Sequence, residues 1–248
     1  MVLISSKYHF KTYIEQLYKP IETDKFYKFI ALVAVWAETN HTINETDLQN
    51  PQNVSAHIQN IADCFGIRIN HEFIETFMFS LKAYTEFLLL YRNDSGEYTF
   101  SHNVISEMVG VVLGKYKTRE CIKLCQRDFL MKRVTIIETG KSDLQVLIPE
   151  RMYIDLCEKF IKLLICEVWT GEQQSGIFLD RLVKTVRRSF SNKHVDSGIV
   201  EHEAFRNKSF VELFTKYIVD KNLVVRLFNY PTMATYHNDI PFYLQNCF

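Results

Sequence analysis

Glycine is scarce in this sequence, with eight in 248 residues. Sharp Gly-flanked turns carry the nucleophile of many hydrolases, and no such elbow occurs along the chain. A phosphate-binding loop is also missing. Gly140, Lys141 and Ser142 follow a β-branched run, but Thr135 stands where the first glycine of a GxxxxGK[ST] loop belongs. The segment after Ser142 is strand-like, so no helix N-terminus would face a phosphate.

The chain also lacks a net charge and a long apolar run. Lysine plus arginine and aspartate plus glutamate both number 29, so no global field favours nucleic acid or an anionic membrane. No window reaches the ~18 apolar residues of a membrane span. The apolar start of residues 1–19 is too short for the core of a secretion signal. We therefore expect a cytoplasmic protein that does not enter membranes.

Metal-binding and catalytic spacings are missing as well. The six cysteines contain no CxxC pair, and the histidines show neither HxxxH nor HExxH spacing. Cys121 and Cys125 share one helical face and could form half a metal site, but no second pair is placed to complete it. We interpret them as reduced core thiols. The sequence predicts a protein that is not an enzyme, with no metal and no cofactor of its own.

What the chain does contain is a large apolar fraction, 47%, with 14% aromatics, which is enough for a substantial core. Its apolar residues recur mostly at three- and four-residue steps, which predicts a mainly α protein. Helices are predicted over residues 7–19, 23–38, 54–66, 70–83, 103–114, 121–129, a long segment after Pro149, 177–190, 207–219 and 223–228. Residues 39–53 are interpreted as a polar connection, and residues 133–140 and 144–148 as strand-like.

A β-hairpin is predicted around Asn93–Gly96, whose residue types tolerate the positive φ of a tight loop. Three helices followed by a hairpin is the order of a winged helix. The likeliest seam between domains lies around residues 138–150, where Gly, Lys, Ser, Asp and Pro collect. We predict a winged-helix-like module over residues 1–137 and a helical module, with short strands at its start, over residues 138–248.

His102 lies at the junction between the second hairpin strand and the next helix. Two interpretations stay open on local grounds, because imidazole can bond backbone groups at a helix start or bind a ligand. The helix after it, which runs to Gly114, offers Asn103 and Glu107 as polar groups but no arginine for guanine edges. We do not expect DNA to be read through that helix.

The runs YTFSHNVISEMVGVVLGKYK and CIKLCQRDFLMKRV resemble a segment that follows the nucleotide-binding core in the third novel family of STAND NTPases. These are signal-transduction ATPases with numerous domains. The family pattern is aromatic-x-Phe-x-His-x-x-x-x-Glu, then Phe-(Ile or Leu)-x-x-Arg. Tyr98, Phe100, His102 and Glu107 occupy its first part, and FLMKR its second. Weaker similarity extends over nearly the whole chain.

The resemblance implies a winged helix joined to a C-terminal helical module. In several STAND relatives a histidine at this junction contacts the β-phosphate of bound ADP and holds the closed state. His102 is the matching residue, so the resemblance makes it a cofactor-binding residue that operates only with an NTPase domain in place. The Walker A and Walker B elements of the family are missing between Met1 and Phe248, so the chain is expected to be a truncated product, a piece of a longer protein, or a paralogue.

The expected function is that of a non-catalytic, regulatory region that binds protein partners, in signalling of the innate immune type that the family suggests. The alternative is a nucleotide-dependent switch that needs an NTPase domain missing from this chain. A third, weaker alternative is nucleic-acid binding through a basic helical face, which is more simply the solvated side of an amphipathic helix. That face consists of Arg181, Lys184, Arg187 and Arg188.

Overall fold

A computed structural model describes residues 2–18, 23–38, 41–48, 54–137, 143–169 and 202–221. The chain divides into two compact units. The first comprises Met1–Val134 with Thr139–Leu147, and the second comprises Thr135–Glu138 with Ile148–Phe248. The described part is mostly helical with two small sheets, which confirms the predicted mainly α class.

Seven helices of the first unit follow the apolar periodicity of the sequence. They are α1 Val2–Leu17, α2 Thr23–Ala37, α3 Ala56–Phe65, α4 His71–Glu86, α5 Asn103–Tyr116, α6 Thr118–Leu124 and α7 Arg127–Arg133. Local caps set several of these ends. Asn70 accepts a hydrogen bond from the Phe73 amide at the start of α4, and Gly66 closes α3 in the left-handed region at φ 65°.

A three-stranded antiparallel sheet accompanies these helices. It contains β1 Thr42–Asn44, β2 Leu90–Arg92 and β3 Glu97–Phe100 in the spatial order β1-β3-β2. The predicted hairpin is confirmed, with Gly96 at φ 80° in its turn. Strand β1 corrects the sequence analysis, which took residues 39–53 for a polar connection. Its hydrogen bonds to β3, with Ile43 opposite Tyr98, make it a strand despite its short and polar sequence.

Helix α5 lies in the core of the first unit. Its residues from Val104 to Gly114 are buried except Glu107, so this segment presents no surface to DNA. Two glycines let neighbouring side chains approach its backbone. A Cβ at Gly110 would lie within 2.7 Å of the Phe129 and Trp36 rings, and one at Gly114 would lie within 2.5 Å of both Val146 methyl groups.

The segment predicted as one helix over residues 121–129 is instead divided between α6 and α7. The break falls at Cys125 and Gln126, both of which have extended backbones. The Gln126 side-chain amide donates a 2.7 Å hydrogen bond to the Ala37 carbonyl at the end of α2. The break between α6 and α7 therefore coincides with a tertiary hydrogen bond, which gives a partner to a carbonyl at the end of α2.

In the second unit a 3-10 turn at Glu150–Met152 leads into α8 Tyr153–Trp169, and another at Glu203–Arg206 precedes α9 Lys208–Asp220. These two helices confirm the predictions after Pro149 and at residues 207–219. Buried aromatic rings join them in edge and stacked contacts with centroids 5.0 to 6.1 Å apart. The rings are those of Tyr153, Phe160, Phe205, Phe210 and Phe214.

Two short strands, β4 Val134–Thr135 and β5 Val146–Leu147, form a two-stranded sheet. The predicted helices at 177–190 and 223–228 lie outside the described residues, as does the basic face of Arg181, Lys184, Arg187 and Arg188. Within the described part, no helix combines the length and the apolar character needed to cross a membrane.

The buried thiol of Cys157 on α8 gives a prediction of how the stability of the second unit depends on pH in the alkaline range. Burial raises the pKa of this thiol from its ordinary 9.0 to about 12. The folded state therefore keeps the proton while the unfolded thiol ionises, so stability is full below about pH 9 and falls as the pH rises toward 12. We expect Cys157→Ala to weaken this pH dependence in urea unfolding under reducing conditions. Equal slopes for the variant and the wild type would contradict the assignment to Cys157.

Candidate functional site

His102 is an exposed residue that caps α5. Its backbone is extended, at φ −153° and ψ 137°, and its Nδ1 accepts a 3.0 Å hydrogen bond from the Val104 amide. Its carbonyl accepts a second bond from the Ile105 amide. An accepting Nδ1 requires the neutral tautomer with its proton on Nε2. In this structure His102 therefore bonds to backbone groups at the start of α5. If it also bound a phosphate, Nε2 would be the ring atom that donates the hydrogen bond.

Glu107, the second polar residue of the family-like pattern, lies between two cations. Lys7 on α1 is 3.5 Å from its carboxylate, and Arg133 on α7 forms an ion pair with the same oxygen. The side chains of Lys7, Glu107 and Arg133 are 24%, 30% and 19% exposed, so solvent only partly screens the pairs. Glu107 thus joins α1, α5 and α7.

Beside this network is a cavity of about 250 Å³. Its volume is slightly below the roughly 300–1,000 Å³ of pockets that hold drug-sized ligands. Two neighbouring ion pairs, Glu107 with Arg133 and Asp128 with Lys132, leave its charged walls close to neutral. Its lining residues are Trp36, His41, Asn103, Ser106, Glu107, Asp128, Phe129, Lys132 and Arg133. Ser106 and His41 both line the cavity, but the buried Nδ1 of His41 forms no hydrogen bond with the serine.

Cys121 on α6 and Cys125 at its C-terminal end are both buried, and their thiols contact backbone carbonyls. The Cys121 thiol donates to the Gly110 carbonyl at 3.5 Å, and the Cys125 thiol donates to the Ile122 carbonyl at 3.4 Å. Among the described residues, no group of three or more metal-ligating side chains occurs. The two thiols pack in the core in the way the sequence analysis expected.

The hairpin contains one arginine, Arg92, which forms hydrogen bonds with the carboxylate of Glu45. Arg92 on β2 donates two 3.1 Å hydrogen bonds to the Glu45 carboxylate, and the Tyr98 hydroxyl donates a third at 2.6 Å. These bonds hold the pKa of Glu45 below its usual range, and burial with the Glu45 bond raises the pKa of Tyr98 to about 12. The Arg92 side chain is 43% exposed, so this is a surface ion pair in which Glu45 offsets the charge of the one hairpin arginine.

The solvent-facing side of α4 is acidic, with one aromatic residue. Glu72, Glu75, Phe79, Lys82 and Glu86 recur at steps of three and four residues, which places them along one stripe of the helix. All five are exposed, and Phe79 is 65% exposed. Three carboxylates against one ammonium give this stripe a net charge of −2.

Three further apolar residues are exposed where α4 ends and β2 begins. Phe87 is 65% exposed, Leu88 76% and Tyr91 60%. Leu88 adopts φ 56°, in the left-handed region where helices commonly end on glycine. Its amide and that of Leu89 donate to the Thr85 and Tyr84 carbonyls, as in a Schellman motif. We call Phe79, Phe87, Leu88 and Tyr91, with Glu72, Glu75 and Glu86, the α4–β2 surface.

The left-handed conformation of Leu88 gives a stability prediction. A side chain in this region costs roughly 1–2 kcal/mol, and the flexibility of glycine in the unfolded chain offsets roughly 0.5–1 kcal/mol of that. We expect Leu88→Gly to raise the free energy of unfolding by about 0.5–1 kcal/mol, measured by urea denaturation. Phe87→Gly is the matched control, because Phe87 is similarly exposed but has φ −85°. A similar gain in both variants would contradict the conformational explanation.

Comparison with protein-family models, with curated proteins and with solved structures finds no match to this chain. A functional interpretation therefore depends on the residues themselves. The structure brings Glu107 together with Lys7 and Arg133 and places His102 at the start of α5. The sequence analysis missed the α4–β2 surface, although a signal for it was present: Glu72, Glu75, Phe79 and Glu86 occur on the polar face of an otherwise apolar helix.

Proposed function

We propose that this chain is a non-catalytic, regulatory protein-interaction region whose first unit is a winged-helix-type module. The order α2, β1, α3, α4, β2, β3, with the sheet order β1-β3-β2, supports the winged-helix assignment. In such a module the recognition helix is the helix before the hairpin. That helix is α4 in this chain, whereas the sequence analysis considered Val104–Gly114 for this role. The resemblance of residues 98–134 to the STAND NTPase pattern supports a place in signalling, of the innate immune type that this family suggests.

The observation that carries the proposal is the charge of the exposed side of α4. A winged helix that binds DNA uses this helix and its hairpin to neutralise phosphates, which requires free lysine and arginine. Here the helix has a net charge of −2 on its solvent face, and the hairpin arginine is bonded to Glu45. Exposed aromatic residues next to carboxylates favour the surface of another protein as the partner.

Site-specific photocrosslinking of the full chain tests this function. We expect a photoreactive phenylalanine analogue at position 79 to form covalent adducts with other proteins in cells that express the chain. The matched control carries the analogue at Ile154, which is 49% exposed on α8. Adducts at neither position, or equal adducts at both, would contradict the proposal.

Binding measurements separate the remaining functions. Fluorescence anisotropy with a random DNA duplex at low salt should show no saturable binding, and binding that Arg187→Glu and Arg188→Glu abolish would favour the nucleic-acid alternative. The second candidate is the nucleotide-dependent switch, which the Nε2 proton of His102 favours because it can donate to a phosphate. Coding sequence upstream of Met1 that encodes a glycine-rich loop and lysine, with calorimetric binding of ADP to the longer protein that His102→Ala weakens, would favour a nucleotide-dependent switch over our proposal.

A further inference from the structure

We infer that the α4–β2 surface docks a basic segment of another protein, in which an apolar side chain is flanked by lysine or arginine. This inference rests on the proposed function and adds the location of the docking surface and the chemistry of the partner. Three properties of the surface carry it: the concentration of exposed apolar side chains, their acidic surroundings, and two local features that reduce the stability of the fold.

Exposed apolar side chains are concentrated at this surface. The described part has ten large hydrophobic residues with exposed side chains, and four of them fall between residues 79 and 91. Single exposed apolar residues are ordinary, whereas a cluster on adjoining elements marks an interaction site. Aromatic residues dominate binding energy at protein interfaces because they bury a large area with few rotatable bonds. Phe79, Phe87 and Tyr91 are of this kind.

The charges around Phe79 specify the partner. Glu75 lies one helical turn before it, Glu72 lies two turns before, and Glu86 lies two turns after, with Lys82 as the single cation of the stripe. Carboxylates around an apolar anchor attract a partner with cations beside its own apolar residue. The same charges repel an anionic membrane surface, and they would face one another if two copies of this chain met through α4.

Leu88 and Glu86 of this surface both break a local rule of stability. Such residues are expected where a side chain is retained for binding. Leu88 occupies the left-handed position at which glycine is the usual choice. Glu86 lies in the last turn of α4, where the helix dipole disfavours a carboxylate, and that turn has no basic residue. Residues that break local rules of stability concentrate at functional sites.

Selection from a random peptide library tests the partner chemistry. Peptides about 12 residues long, enough for about three helical turns, are selected on the full chain and counterselected on the double variant Phe79→Ser, Glu75→Lys. We expect the retained sequences to combine apolar residues with lysine or arginine. Retained sequences that are acidic or uncharged, or none that distinguish the two proteins, would overturn the inference.

Anisotropy with a retained peptide then tests the site. We expect Phe79→Ser to weaken binding at least about tenfold, and Glu75→Lys to weaken it and to reduce its dependence on salt. Glu212→Lys is the matched charge control, because Glu212 is an exposed glutamate on α9, outside the α4–β2 surface, and the substitution changes the charge by the same amount. Equal losses in Glu75→Lys and Glu212→Lys would overturn the assignment to this surface.

Other occupants give different results. A dimer in light scattering that Phe79→Ser dissociates would mean that a second copy covers the surface. Peptide binding that appears only after Arg187→Glu and Arg188→Glu would mean that the basic run of this chain covers it. Either result overturns the inference. If photocrosslinks form at position 79 but the retained peptides are not basic, the proposed function stands and the partner chemistry is wrong.

Discussion

Replacing Phe210 by alanine is expected to unfold the second unit or to reduce its free energy of unfolding by about 3–5 kcal/mol, the range for truncating a buried phenylalanine. Phe210 is 0% exposed, and its ring lies 5.4 to 6.1 Å from those of Tyr153, Phe160, Phe205 and Phe214. Truncation would leave a cavity that these rings could fill only by changing their own contacts. The loss is therefore larger than the transfer energy of the side chain alone.

Hydrogen exchange followed by mass spectrometry is the appropriate measurement, because it reports on each unit separately. Amides of α8 and α9 should lose protection in Phe210→Ala, while those of α2 and α5 keep theirs. Val219→Ala on α9 is the matched control, since Val219 is 44% exposed and its truncation leaves no cavity. Unchanged protection of α8 in Phe210→Ala would contradict the importance of the aromatic cluster.

Replacing Gly110 by alanine is expected to destabilise the first unit, although alanine is the better helix former by about 1 kcal/mol. The added Cβ would lie within 2.7 Å of both the Phe129 and the Trp36 ring, closer than van der Waals contact allows. Phe129 and Trp36 are 7% and 1% exposed and form an edge-to-face pair with centroids 5.1 Å apart, so neither can move into solvent. Overpacking of this kind costs about 1–3 kcal/mol, occasionally more.

A double-mutant cycle identifies the cause of that loss. Phe129→Leu should destabilise the wild type, and it should cost less in the Gly110→Ala background because the smaller side chain makes room for the new methyl group. Urea denaturation supplies the free energies of the four proteins. Strictly additive losses would mean that the contact with Phe129 is not responsible.

The helices of this protein are predictable from the sequence because their apolar residues repeat at the helical period. Helix α4 is an example: Phe73, Phe77, Leu81 and Tyr84 recur at steps of three and four, and Asn70 provides the cap. The hairpin was predictable for a similar reason, since Asn93–Gly96 contains residues that favour a tight turn. Both signals are local and need no knowledge of distant partners.

Strand β1 shows what local signals miss. Its three residues, Thr42, Ile43 and Asn44, are too few and too polar to show a strand period, and they pair with β3 more than 50 residues away. The division between α6 and α7 has a similar character, because Gln126 at the break bonds to the Ala37 carbonyl. The site followed the same rule: His102 was visible at a junction, but its role as a cap depends on the backbone geometry around it.

The sequence by itself determined the helical class, the hairpin and the lack of a phosphate-binding loop, because composition, periodicity and motif spacing are properties of neighbouring residues. The tertiary structure decided which side of each helix faces solvent. It buried Val104–Gly114 except Glu107 and left the acidic stripe of α4 exposed, because burial depends on the partners that each face finds across the fold. The candidate docking surface is therefore a consequence of packing that no single segment shows.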